Sequence, residues 1–243
     1  MNGTNALWGS LAPQVLVQNA TANLSNLTID GGLSSCASGA DTSVGVLYQQ
    51  AGGSMSNSSF QDPASCINAI GVLLDHTTNL NFSSNYLWNC VVVCVEIDYG
   101  SDTTVKNNNI TSLSGNGILT GIEAQHLVGP ATISANFVGG GVRYGVRVNY
   151  SPTLTITGNN VMVDLQFGAG IYLVGATQAI VEGNRLFGPY GVWVEDAGMA
   201  GGNTVMTNTL IGGSCGLKLT ATNQGDTTKP NTYYDELQTV CTN

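Results

Sequence analysis

Charge is what this 243-residue chain has least of. Asp, Glu, Lys and Arg make up 9% of it, where ordinary globular domains carry about a quarter. Only six residues are Lys or Arg against fifteen Asp or Glu, a net charge of −9. So few cations cannot neutralise a phosphate track, which excludes nucleic acid as a partner. No run of eighteen apolar residues occurs, so membrane insertion is not expected. The N-terminus also lacks a basic start followed by an apolar core, so either a signal peptide has been removed or the chain is a fragment. Phosphate loops, dinucleotide fingerprints, nucleophile elbows and HExxH metal pairs are all missing. The only two histidines, His76 and His126, each follow a strand at the start of a loop and read as surface-loop residues.

Helical periodicity is absent too, and in its place stands a repeat. Gly opens a short alternating strand at Gly45, Gly71, Gly121, Gly145, Gly170, Gly191 and Gly216, with Cys94 substituting once, at steps of 21 to 27 residues. Within each period an Asn marks a corner, at Asn85, Asn108, Asn136, Asn159, Asn184 and Asn208, with Ser58 one turn earlier. Asn tolerates a left-handed backbone, and its amide can hydrogen-bond to an Asn stacked above and below it. An apolar residue lies three before each corner (Met55, Phe82, Val105, Ile133, Ile156, Val181, Val205) and another two after it (Phe60, Leu87, Ile110, Val138, Val161, Leu186, Leu210). Short strands at this period without a recurring Leu consensus indicate a parallel β-solenoid. The fold class expected is all-β: a single-stranded right-handed parallel β-helix of about eight turns. One domain is expected over residues 1–243, with an N-terminal cap at 1–22, repeat turns over 23–220 and a C-terminal cap or tail at 221–243.

Strand alternation lets the outside of each turn be read column by column. Two residues after the opening Gly the first outward column runs Leu47, Leu73, Glu96, Glu123, Arg147, Tyr172, Trp193, Lys218. The second runs Gln49, Asp75, Asp98, Gln125, Asn149, Val174, Glu195, Thr220. Seven of these sixteen positions are charged, whereas among 28 outward positions flanking the Asn corner only Lys106, Glu182 and Arg185 are. Uniform solvation would load all columns alike, so this face has a separate task. Tyr172 and Trp193 beside Asn149, Arg147, Glu195 and Lys218 suit a sugar ring, with its apolar faces and hydroxyl rim; the alternative is that they are simply good strand formers. Glu96, Asp98 and Glu123 offer both a close and a wide carboxylate pair, compatible with retaining or inverting hydrolysis. With Asp75 they could instead hold Ca²⁺, and Arg147 would then polarise a uronate. The structural alternative is a charge ladder paired Glu123 to Arg147. As outward residues support no core, Glu123→Gln and Arg147→Ala are expected to leave thermal stability nearly unchanged.

The Gly-initiated strands, the Asn corners and the turn length resemble the pectin lyase-like right-handed parallel β-helix superfamily over roughly residues 23–220. That superfamily includes pectate and pectin lyases, polygalacturonases, alginate lyases and epimerases, and phage tailspikes, and its active clefts usually run along the outside of the opening strand. The resemblance implies a polysaccharide partner and a uronate-type lyase or hydrolase. The catalytic candidates are Glu96, Asp98, Glu123 and Arg147; the substrate-binding candidates are Asn149, Tyr172, Trp193, Glu195 and Lys218. No cofactor is expected, or Ca²⁺ on Asp75, Glu96, Asp98 and Glu123 for a lyase. The Asn-Thr-Asp, Asp-Asp, Gly-His-Gly and Arg-Ile-Lys signatures of polygalacturonases are absent. A non-catalytic carbohydrate-binding or adhesive solenoid, or a structural repeat region, is therefore the alternative.

Six cysteines without metal-ligand spacing indicate three disulfides and an extracellular or cell-surface location. Cys36 with Cys66 and Cys215 with Cys241 are the expected pairs, leaving Cys90 with Cys94. Thiol titration of the denatured, unreduced protein is expected to find no free thiol; six would assign it to a reducing compartment.

Overall fold

The computed structural model describes residues 3–5, 9–30, 42–61, 69–112, 120–164, 167–195, 201–220, 225–236 and 240–242. Three parallel sheets run the length of the molecule, and each turn contributes one strand to each sheet before the chain rises to the next. The chain is thus a right-handed parallel β-helix of about eight turns, roughly 38 Å long at about 4.8 Å per turn. All eight opening strands read from the sequence lie in the first sheet, from Thr42–Gln49 to Cys215–Leu219. At the N-terminal end Gly9–Gln18 pairs in parallel with Thr42–Gln49, and Gly3–Asn5 folds back antiparallel along its free edge. At the other end Thr227–Thr228, Thr232–Glu236 and Val240–Thr242 add strands to the second, third and first sheets in turn. The segments expected to cap the solenoid therefore carry strands of their own.

The interior follows from the repeat. All fourteen apolar residues placed around the Asn corner are buried, and those of neighbouring turns are paired in register, as in Phe82 beside Val105 beside Ile133. Each fully buried side chain of this kind contributes about 1.5–3 kcal/mol. The opening Gly is dictated by crowding: a Cβ on Gly145 would lie 2.0 Å from Val161 Cγ1 and 2.7 Å from the Gly170 carbonyl. The exception, Cys94, is joined to Cys90, and Cys215 is joined to Cys241 on the last strand. The pair expected from Cys36 and Cys66 lies outside the described residues.

At the Asn corner the structure corrects one expectation. The left-handed residue is the one before the Asn: Asn57, Ser84, Asn107, Ala135, Gly158, Gly183 and Thr207 have φ between 51° and 64°. The Asn holds its place by side-chain hydrogen bonding instead. Asn136 donates through Nδ2 to the Val105 carbonyl (2.9 Å) and to Asn159 Oδ1 (3.0 Å). Its own Oδ1 accepts from the backbone N–H (3.0 Å) and the Nδ2 (3.0 Å) of Asn108. The same pattern links Asn85 to Asn208 turn by turn and continues to Asn231, past the point where the repeat fades in sequence. Ser58, the substitute, takes Asn85 Oδ1 through its backbone N–H. Removing one rung strands the Val105 carbonyl and the Asn108 N–H of the preceding turn and breaks the side-chain bonds to Asn108 and Asn159, so Asn136→Ala is expected to lose about 3 kcal/mol. The exposed Asn109→Ala should stay within about 0.5 kcal/mol, both read by equilibrium denaturation.

Candidate functional site

The strand register confirms the two outward columns on the first sheet. Leu47, Leu73, Glu96, Glu123, Arg147, Tyr172, Trp193 and Lys218 are successive partners, as are Gln49, Asp75, Asp98, Gln125, Asn149, Val174 and Glu195. Facing outward is not the same as facing water, however. Glu96 and Asp98 are 0% exposed, Asp75 2% and Glu123 6%. Their covering is partly visible in their contacts. His76 Nδ1 donates to Asp75 Oδ1 at 2.6 Å, and His126 Nδ1 points at Asp98 Oδ1 from 3.5 Å. Arg147 Nη1 lies 3.5 Å from Glu123 Oε1. The premise that outward residues are exposed therefore fails for the acids.

Three of the four acids are each held by an amide on the same face. Gln49 Nε2 donates to Asp75 Oδ2 (3.0 Å), Gln125 Nε2 to Glu96 Oε1, and Asn149 Nδ2 to Glu123 Oε1 (2.6 Å). The last two run diagonally, from the second column of one turn to the first column of the turn before. Glu195 follows the same diagonal and accepts a hydrogen bond from the Tyr172 hydroxyl. Burial pushes the Glu123 carboxyl above its ordinary value, with the charge of Asp98 adding to the rise; the Arg147 guanidinium and the Asn149 amide oppose it. Burial likewise raises the Tyr172 phenol, with the hydrogen bond to Glu195 next in size. Among the described residues no three His, Cys, Asp or Glu side chains converge as a cation site. Asp75, Glu96, Asp98 and Glu123 thus do not form the Ca²⁺ cage expected of a lyase.

The aromatic end of the face also differs from expectation. Turn-to-turn stacking turns the rings onto one another: Tyr144 and Tyr172 stack at 4.9 Å, and Tyr172 meets Trp193 at 4.6 Å. Lys218 Nζ sits 3.9 Å from the Trp193 ring centre, and Arg143 and Arg147 lie 5.2 and 5.7 Å from that of Tyr144. The faces of Tyr172 and Trp193 on which a sugar was expected to stack are taken by protein neighbours. What the patch keeps is cationic: Arg143, Arg147 and Lys218 are three of the six Lys and Arg of the whole chain. Trp193 Nε1, Arg143 Nε and Arg147 Nε are buried donors without a hydrogen-bond partner.

The sequence reading missed the corner beside the acids. The residue after each opening strand forms a column of its own, and in four consecutive turns that residue is His76, Tyr99, His126 and Tyr150. These rings stack at 4.7, 5.3 and 6.2 Å with interplanar angles of 20° or less. Aligning the periods one column further would have shown it. Both histidines then appear as members of an aromatic stack rather than as loop residues.

Glu123 yields a prediction with a definite sign. A carboxyl whose folded-state pKa is raised contributes stability below its ordinary value of 4.5, and loses it as pH rises through the raised value. Glu123→Gln keeps the acceptor for Asn149 and cannot ionise. Its melting temperature relative to wild type is expected to climb as pH is raised from 4.5, in a thermal melt series; a flat difference would remove the strained carboxylate.

These features sit on a recognisable architecture. The pattern of the right handed beta helix region matches residues 12–161 and again 70–232. Among solved structures, a point mutant of DFA-IIIase from Arthrobacter chlorophenolicus A6 superposes with a TM-score of 0.57 at 14% identity, covering 92% of this chain and 74% of that one. The same enzyme without its lid gives 0.53 at 14%, covering 97% and 79%, and its complex with GF2 gives 0.52 at 15%, covering 93% and 74%. At such identities the likeness is one of fold. No curated protein matches the chain. The family match spans well over half of the sequence: this chain belongs to the right-handed β-helix family.

Proposed function

We propose that this protein is a carbohydrate-active β-helix that binds a uronate-type glycan along the outer face of its first sheet and cleaves it, with Glu123 as proton donor. The observation that carries the reading is the Glu123 carboxyl: burial favours its neutral form, and Arg147 beside it is part exposed. A carboxylic acid whose proton is held above the ordinary carboxylate range is what general acid catalysis at a glycosidic oxygen needs. Glu96, its strand partner one turn away, and Asp98, diagonal to it, are candidates for the second carboxylate of a two-carboxyl hydrolysis. Arg147 and Lys218, with Arg143, supply positive charge to a glycan carboxylate in an otherwise acidic protein. Asn149 and Glu195 orient Glu123 and Tyr172, and Trp193 seats Lys218 against its ring. The resemblance in fold to DFA-IIIase, solved in complex with GF2, is consistent with a carbohydrate ligand. The two disulfides among the described residues support an extracellular or cell-surface location. Because the four carboxylates do not gather as a cation site, no step is routed through Ca²⁺.

Complete burial of Glu96 and Asp98 favours a second reading, in which the face binds a glycan without cleaving it. One experiment separates the two. Incubation with polygalacturonate, alginate and neutral polysaccharides is expected to give saturated products and to be indifferent to a chelator. Glu123→Gln should lower the rate about 10²- to 10⁴-fold while keeping affinity. Binding without any product supports the second reading; full activity of Glu123→Gln removes Glu123 from the chemistry, and an unsaturated, chelator-sensitive product restores the lyase.

A further inference from the structure

The column His76, Tyr99, His126, Tyr150 occupies a backbone conformation that is uncommon outside glycine. All four residues have positive φ, at 52°, 52°, 50° and 47°. This left-handed region accepts Gly readily and Asn, Asp and His more often than other residues, so Tyr99 and Tyr150 are the uncommon occupants. Neighbouring turns of the same corner use Asn19, Gln50 and Gly175, so small or amide residues are structurally sufficient there. Four rings in succession stand there in a chain with 7% aromatic residues, and the two tyrosines among them are placed at conformational expense. His76, Tyr99 and His126 also lie on the turns that carry Asp75, Glu96, Asp98 and Glu123, and Tyr150 on the turn of Arg147.

The geometry says what they can offer. Mutual stacking consumes the ring faces, so the ring edges remain. The His76 side chain is 52% exposed and that of His126 33%, and Tyr150 is 48% exposed. Asp75 Oδ1 lies 2.6 Å from His76 Nδ1, a contact in which Nδ1 donates, and in the tautomer protonated at Nδ1 alone Nε2 is left as an acceptor. His126 turns Nδ1 toward Asp98 Oδ1 at 3.5 Å, an electrostatic contact longer than a hydrogen bond. The phenols between and beyond them carry O–H donors. With both imidazoles in the Nδ1–H tautomer the edge alternates acceptor, donor, acceptor, donor over four turns, while the buried Asp75 and Asp98 behind it repel an anion.

We propose that this strip is a hydroxyl-binding rail: a second contact site at which the successive hydroxyl groups of a carbohydrate hydrogen-bond to His76 Nε2, Tyr99 OH, His126 Nε2 and Tyr150 OH. A sugar hydroxyl donates and accepts at once, so an alternating edge satisfies it where a run of like groups would not. The proposal rests on the glycan reading above and adds the part of the ligand that the Arg147 patch does not hold.

The test uses gluco-, xylo- and fructo-oligosaccharides and an oligogalacturonide as probes, titrated into the whole protein. Tyr99→Phe and Tyr150→Phe keep the stacked ring and delete only the hydroxyl. Each is expected to weaken binding about three- to tenfold, the effect of one neutral hydrogen bond, without a change in melting temperature. Imidazole ¹⁵N spectra are expected to show Nδ1 protonated in both histidines and both Nε2 signals displaced by the bound oligosaccharide. Should either variant unfold, those spectra decide alone. Unchanged affinity with unmoved histidine signals, while Glu123→Gln still binds an oligosaccharide, overturns the rail and leaves the glycan reading standing. Absence of binding to every probe overturns both.

Discussion

Hydrogen bonds between successive turns hold each residue about 4.8 Å from its counterpart above and below, so in this fold like must stack upon like or upon a compatible neighbour. The constraint acts first on the interior, where apolar positions repeat turn after turn and Asn carboxamides link Asn85 through to Asn231. It then acts with equal force outside. Glu96 is set against Glu123, and Asp75 against Asp98, because the strands leave them no other register.

Two carboxylates so close in a poorly solvated place repel, and the protein answers with neutral or cationic donors rather than with separation. Gln49, Gln125 and Asn149 give amide N–H groups to Asp75, Glu96 and Glu123, and Arg147 closes the acidic run on the Glu123 side. Burial still prevails over these donors at Glu123, whose carboxyl is raised. A face that looks like a solvated charge ladder in sequence is therefore an enclosed polar network, and proton chemistry is what such networks are suited to.

Rings obey the same spacing. Aromatic side chains a turn apart lie at stacking distance, so Tyr144, Tyr172 and Trp193 cover one another and Lys218 lies against the last. At the corner, His76, Tyr99, His126 and Tyr150 do likewise. Within such columns recognition passes from ring faces to ring edges, which carry N–H, O–H and bare nitrogen. This shifts the chemistry of the face from stacking on sugars toward hydrogen bonding with them.

The sequence by itself determined the solenoid, its eight opening strands, the inward and outward columns and the segregation of charge to one face. All of these follow from periodicity, and the period of a stacked fold is written in one dimension. It could not determine depth. Whether Glu96, Asp98 and Glu123 touch water depends on what lies over them, and alternation records only the side of the sheet. Nor could it foresee that the faces of Tyr172 and Trp193 would be filled, or that Asp75 and Asp98 would turn toward His76 and His126. It placed the left-handed corner at the Asn rather than one residue before it, since the ladder and the turn are neighbours in sequence and only backbone angles tell them apart. These were decided by the tertiary structure, because burial, ring orientation and the partner of a proton depend on side chains from several turns at once.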